Sequence, residues 1–209
     1  MNAITELKRI CPLLALPLNT TLENIKSNPL LVIEEVELYV SYLTQTILAF
    51  EGLAEPAAGT QTARINILNN RGFLPTALLP FFHALSTNVG TKEIPGATLK
   101  MRANLFLKLA LHLTTWFVKS YGTSLPQSLA EAKKIENVLK ELRKEVTADV
   151  LRKSARKSAM RRAASMVLSE DETRVIIDYQ LQSAGWQADT LLIRHSLGAR
   201  PEKGVNKAI

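Results

Sequence analysis

Between residues 98 and 121 the polar side chains fall mainly along one narrow line: Lys100, Asn104, Lys108, His112, Thr115 and Lys119, at spacings of 4, 4, 4, 3 and 4. That is the period of an α-helix, and nearly everything else in the stretch is Leu, Phe, Met, Ala, Val or Trp116. A helix apolar on so many sides must be surrounded by other elements. The stretch therefore predicts a helical bundle, and a chain of 209 residues can bury such a core without staples.

The rest of the first 121 residues supplies partners. Ser27-Asn28-Pro29 is a helix start, a capping residue followed by proline in the first turn. From there Ile33, Val36, Val40, Leu43, Ile47 and Phe50 recur at helical spacing, opposite Glu34, Glu37, Ser41 and Gln45. A short helix is predicted over 61–70, and another from Pro75 to Leu85. The apolar run Cys11–Leu18 is only eight residues long, far below the roughly 20 that span a bilayer. Glu6, Pro12, Pro17 and the lack of an Ala-x-Ala site argue against a signal peptide. The expectation is a cytoplasmic protein with no membrane association.

After Gly122 the character changes. A charged helix is predicted from about Gln127, with Ile135, Leu139, Leu142, Val146 and Val150 on one face. Beyond 150 the seam thins to Leu151, Ala155, Ala159 and Ala163, with Arg152, Lys153, Arg156, Lys157, Arg161 and Arg162 around it. Net charge is +7, and residues 127–209 hold 16 Lys/Arg against 11 Asp/Glu. A basic helix of this kind can neutralise backbone phosphates; it is equally the pattern of a solvated linker helix balanced by the acids of 131–149. It lacks aromatics for stacking on bases. Ser169-Glu170-Asp171-Glu172 is a capping box opening another helix, which ends at Gly185, and Leu191–Ile193 reads as a short strand.

Common catalytic signatures are absent from the sequence. No phosphate-binding glycine loop or Gly-x-Ser-x-Gly elbow occurs. The histidines, His83, His112 and His195, are scattered, and the single Cys11 has no base beside it. His83, in an apolar helix, is expected to be packed and hydrogen-bonded; His112 is expected to be exposed.

The C-terminal segment carries a more specific pattern. Glu172-Thr173-Arg174, Ile177-Asp178, Gln180-Leu181, Ala184-Gly185-Trp186 and Asp189 are followed by Arg194, Ser196, Gly198, Arg200-Pro201-Glu202, Gly204, Asn206 and Ala208-Ile209. This resembles the start of the nuclease domain in the restriction (R) subunit of type I restriction–modification enzymes. Residues 20–121 are more loosely similar to the HEPN-related helical domain that precedes it. The features carrying this are Asn28-Pro29, Arg64-Ile65, Leu68, Gly72 to Pro75, Phe82-His83, Leu85, Trp116-Phe117 and Tyr121-Gly122. The Arg, Gly-Asn and His of the HEPN signature are missing from Leu85 to Ile94, so an RNase of that kind is unsupported.

The resemblance implies a mainly α chain in three parts. Residues 1–122 form a helical bundle, 123–168 a charged, basic linker helix, and 169–209 the first helix and strand of an incomplete α/β nuclease domain. Full-length relatives are ATP-dependent, Mg²⁺-dependent deoxyribonucleases that work with modification and specificity subunits. Their Asp and Glu-x-Lys strands, which hold the metal, and their motor lie beyond this segment, so no cofactor is expected in this chain. Of the nuclease residues only Glu172 has a counterpart here, and its capping role competes with that assignment. The resemblance implies a truncated relative with a scaffolding role and weak, non-specific DNA contact. That contact is assigned to Arg152, Lys153, Arg156, Lys157, Arg161 and Arg162, with Arg194, Arg200 and Lys203 as a second group. The residues alone leave open a free-standing helical module that binds a protein partner and touches nucleic acid through its basic helix.

Overall fold

A computed structural model describes residues 2–86, 95–202 and 204–209. Residues 87–94, most of the stretch compared with the HEPN signature, and Lys203, assigned to DNA contact, lie outside the described residues. The helices are α1 (Ala3–Ile10), α2 (Pro12–Asn24), α3 (Pro29–Phe50), α4 (Gln61–Asn70), α5 (Leu79–Ala84), α6 (Gly96–Tyr121), α7 (Ile135–Glu145), α8 (Asp149–Ala164) and α9 (Glu170–Ser183).

The bundle forms around α3 and α6. Asn28 caps α3 by accepting from the Leu31 N–H at 3.1 Å, with Pro29 in the first turn. The predicted face of α3 is buried, from Val32 and Ile33 through Val40 to Phe50. On α6, Leu109, Ala110, Leu113 and Phe117 are fully covered. Tyr39 and Thr114 join the two helices by a buried hydrogen bond of 2.8 Å. The run that interrupts itself with Pro12 and Pro17 folds as α2 and buries Leu14, Ala15 and Leu18 against α3. At one end of the bundle Tyr121 is ringed by Phe50 at 5.1 Å, Phe117 at 5.2 Å and Trp116 at 5.8 Å.

The charged stretch after Gly122 is not one continuous helix. The expected start near Gln127 is a separate 3₁₀ turn, Gln127–Glu131, α7 begins only at Ile135, and the chain breaks again at 146–148 between α7 and α8. Val146 leaves helical geometry at φ −88°, ψ 72°, and the Arg152 guanidinium donates to its carbonyl, one of the acceptors left open at the end of α7, at 2.5 Å. Nor is α8 a free strut. Its seam of Ala155, Ala159 and Ala163 is buried against α6, and the Trp116 indole N–H donates to the Ala159 carbonyl at 3.0 Å. The core cluster runs without interruption from Ile4 to Ile176, through bundle, α7 and α8 into α9.

The strand expected at Leu191–Ile193, and with it the α/β unit, is not formed among the described residues. The helix before it ends as predicted: Trp186 N–H bonds the Leu181 carbonyl at 2.9 Å and Gly185 N–H the Gln182 carbonyl at 3.0 Å, with Gly185 at φ +83°. Then Asp189 diverts the chain into a turn. Its side chain accepts from Leu191 N–H at 3.0 Å and Leu192 N–H at 3.2 Å, and its carbonyl from Ile193 N–H at 2.7 Å. These donors are the ones a strand would have offered to a neighbour. Among the described residues the extended pairing is a single parallel bridge between Gln187 and Lys207. Among the described residues, no helix is long and apolar enough to cross a membrane.

Candidate functional site

The six cations of α8 separate into three groups. Arg152 reaches back into the bundle, donating to the Phe50 carbonyl at 2.9 Å as well as to Val146, and so ties the ends of α3 and α7 to α8. Its guanidinium lies 2.9 Å from where a Cβ on Gly52 would stand, and Gly52 has φ +72°; a side chain there would meet both obstacles. Arg156 lies over the Phe73 ring at 4.4 Å, a cation–π distance, and its Nε is 3.2 Å from Glu51 Oε2 without the alignment of a hydrogen bond. Lys153 pairs with Asp149 at 2.7 Å on the surface. Lys157 and Arg161 are exposed and have no acid partner among the described residues. Arg162 is half-buried, with Nε donating to the Ser158 hydroxyl at 3.2 Å.

Glu51, which no local pattern singles out, is the electrostatic centre of the α3–α8 junction. Its side chain is wholly buried and neither carboxylate oxygen has a hydrogen bond among the described residues. Burial pushes its carboxyl up to about 7, against the opposing pull of Arg156 and Arg152. The neighbouring Tyr121 hydroxyl is also buried without a partner, and burial first, then the charge of Glu51, raise its pKa.

Glu172 lies at the opposite end of α8. It completes the capping box: Ser169 N–H donates to its Oε2 at 2.8 Å, and its own N–H donates to Ser169 Oγ at 3.4 Å. The same Oε2 lies 3.4 Å from His112 Nε2 on α6. Burial works to raise this carboxyl, but the two Ser169 hydrogen bonds and His112 outweigh it and hold it below the usual carboxylate range. Among the described residues no three His, Cys, Asp or Glu side chains converge as metal ligands do. Glu172, committed to a helix cap and facing a histidine, does not by itself fit the carboxylate set that a hydrolytic Mg²⁺ requires. His112, expected on the surface, is one-third exposed. His83 is part-buried and stacks on Tyr179 of α9 at 5.6 Å.

The C-terminal segment folds back onto the bundle through polar clasps. Arg102 of α6 pairs with Asp189 at 2.5 Å, both side chains nearly buried. Asp178 accepts from the Thr190 N–H at 2.5 Å and hydroxyl at 2.9 Å, and Gln182 donates to the Ala188 carbonyl at 2.6 Å. Arg102 was hidden in the apolar face of its helix; no local pattern in the sequence marks it. Beside the pair lies a cavity of about 60 Å³ whose lining includes Ile33, Phe106, Val175 and Leu191. Arg194 donates to the Thr190 carbonyl and Arg200 to the Ala199 carbonyl at 2.8 Å. Arg194 and Arg200 are thus partly spent on their own backbone, and no contact among the described residues joins them to the cations of α8.

No family model matches the chain, and no solved structure matches it. Among curated proteins, the type I restriction enzyme EcoKI endonuclease subunit of Escherichia coli (strain K12) is similar, 67% identical over 42 residues. The match covers 20% of this chain and 4% of that relative, so the chain spans only a small part of the relative's length.

Proposed function

We propose that this chain is a relative of the type I restriction R subunit that scaffolds or docks rather than cuts, with non-specific DNA contact through its basic helix. The observation that carries the reading is the 42-residue match at 67% identity. The resembling segment is folded onto the bundle by the Arg102–Asp189 pair and the cap at Ser169, rather than hanging from it. On this reading Glu172 positions the start of α9, the partners are modification and specificity subunits, and the protein works in the cytoplasm in defence against foreign DNA. Neither a nuclease nor an ATPase site is completed by its residues.

The test has two arms. Plasmid incubated with the purified chain, Mg²⁺ and ATP stays supercoiled, and the chain co-elutes with a modification–specificity complex on gel filtration. Linear or nicked product that tracks protein purity and vanishes in Glu172→Ala overturns the non-cutting part. Elution as a separate species at micromolar concentrations overturns the docking part.

A further inference from the structure

Docking α8 on α6 does more than bury alanines: it sets cations on both walls of one cleft. The cleft, about 190 Å³, is lined by His112, Thr115, Trp116 and Lys119 of α6 and by Arg162, Ser165 and Met166 at the end of α8. Its walls cannot drift apart easily, because the Trp116–Ala159 hydrogen bond and the buried seam of Ala155, Ala159 and Ala163 fix the two helices together. Lys119 is exposed and, like Arg162, has no acid partner among the described residues. Arg162 gives Nε to Ser158, and no protein acceptor among the described residues takes its two terminal nitrogens. The carboxylate nearest His112 is Glu172, whose charge is already met by the Ser169 N–H. The hydroxyls of Thr115 and Ser165 donate to Leu111 and Arg162 carbonyls, so the attraction this cleft exerts is one of charge.

We propose that the cleft holds a phosphate group of a nucleic-acid backbone, with Lys119 and Arg162 as its paired charges. Lys157 and Arg161, on the adjoining exposed face of α8, take neighbouring phosphates. The inference rests on the DNA contact in the proposed function and relocates it. Arg152 and Arg156, engaged with Phe50, Val146, Phe73 and Glu51, hold the fold together. The cations left for a ligand come from two helices that only the tertiary structure brings together. A guanidinium opposite an ammonium suits a phosphate, the first by its planar fork and the second as a point charge.

The experiment is fluorescence anisotropy of a labelled 20-base-pair duplex with the full chain, across a salt series. With about four phosphates neutralised, log K falls with log salt at a slope of roughly −3.6. In Lys119→Gln/Arg162→Gln the slope becomes shallower by about two and affinity at about 0.1 M salt falls at least tenfold, while Lys133→Gln/Lys134→Gln changes neither. Lys119→Gln alone, at an exposed position, shows about half the slope change and keeps the test alive if the double variant does not fold. An unchanged slope in both cleft variants, with binding lost instead in Arg194→Gln/Arg200→Gln, overturns the cleft and leaves the DNA contact standing. No binding of the duplex by the unaltered chain at about 50 mM salt removes both. If inorganic phosphate changes Trp116 fluorescence in the unaltered chain and not in the double variant, while duplex affinity is the same in both, the occupant is a free phosphate ion and the nucleic-acid assignment falls.

Discussion

The two tryptophans of this chain sit in opposite circumstances. Trp116 is 2% exposed, edge-on to Phe82 at 6.2 Å and to Tyr121 at 5.8 Å, with its N–H bonded to Ala159. Trp186 is 42% exposed at the end of α9. The contrast extends to their regions. The α3–α6 core is held by apolar area, with whole helix faces at or near zero exposure. Residues 186–209 are held by directed polar contacts, the Arg102–Asp189 pair, Asp178 on Thr190 and one bridge, while Leu197 and Ile209 stay in water. Burial over many side chains gives cooperative stability that no single contact controls; a few clasps give a segment that opens when one of them is cut.

The comparison breaks most visibly at the tryptophans themselves. Trp116→Ala removes a buried ring and the anchor of α8, a loss of about 3–5 kcal/mol, read as a lower urea midpoint. Trp186→Ala changes global stability by no more than about 0.5 kcal/mol. Equal losses would show that the C-terminal segment belongs to the same cooperative core.

Next in size is the clasp. Removing one member of a nearly buried ion pair leaves the other charge unpaired, a penalty of up to about 3 kcal/mol, here confined to the segment it holds. In Asp189→Asn, amide exchange of 187–193 accelerates toward the unfolded rate, whereas 98–121 keeps its protection. In the unaltered chain the expected outcome is that 186–209 exchanges faster than 98–121 and is clipped by protease before it. Equal protection of the two regions in a monomer would defeat the reading of 186–209 as a loosely held segment.

The buried carboxylate of Glu51 gives the core a pH dependence of its own. Its folded pKa, about 7, is above its usual value, so the folded state holds the proton more tightly than the unfolded chain does. Stability from this group is therefore full below about 4.5 and is lost as pH rises through about 7, by up to roughly 3 kcal/mol. Glu51→Gln flattens the decline between pH 5 and 8. A decline that persists in the variant would assign it to another group.

What was legible in the sequence is what local periodicity encodes. The faces of α3 and α6, the alanine seam of α8, the cap at Ser169 and the stop at Gly185 each follow from residues within a turn or two of one another. What was not legible depends on distant partners. Leu191–Ile193 has the composition of a strand, but Asp189 takes its amides while Arg102, remote in sequence, holds Asp189 in place. The break at 146–148 is met by Arg152, six residues on, which donates to the Val146 carbonyl and to the distant Phe50 carbonyl. The same long reach redistributed the basic helix: six evenly scattered cations became two that lock the fold, one in a surface pair and three free of acid partners, joined at the cleft by Lys119.

Glu172 tests the joint between the two regions, and its effect is the smallest. It caps α9 and faces His112, so it belongs half to the core and half to the segment beyond. Its folded pKa is held low, opposite to Glu51, and the sign reverses with it: the stability it gives is present above the ordinary carboxylate value and is lost as pH falls through the depressed one. Glu172→Ala removes half of the capping box, about 1 kcal/mol, and with it this group's share of acid sensitivity. Because the second turn of α9 carries Ile176 into the core and the helix leads on to Asp178 and Asp189, the substitution speeds exchange in α9 and in 186–193 together. Protection of 98–121 is unchanged. If α9 alone loosens and 186–193 does not follow, the clasp at Arg102 holds the segment by itself, and the cap is a local feature of one helix.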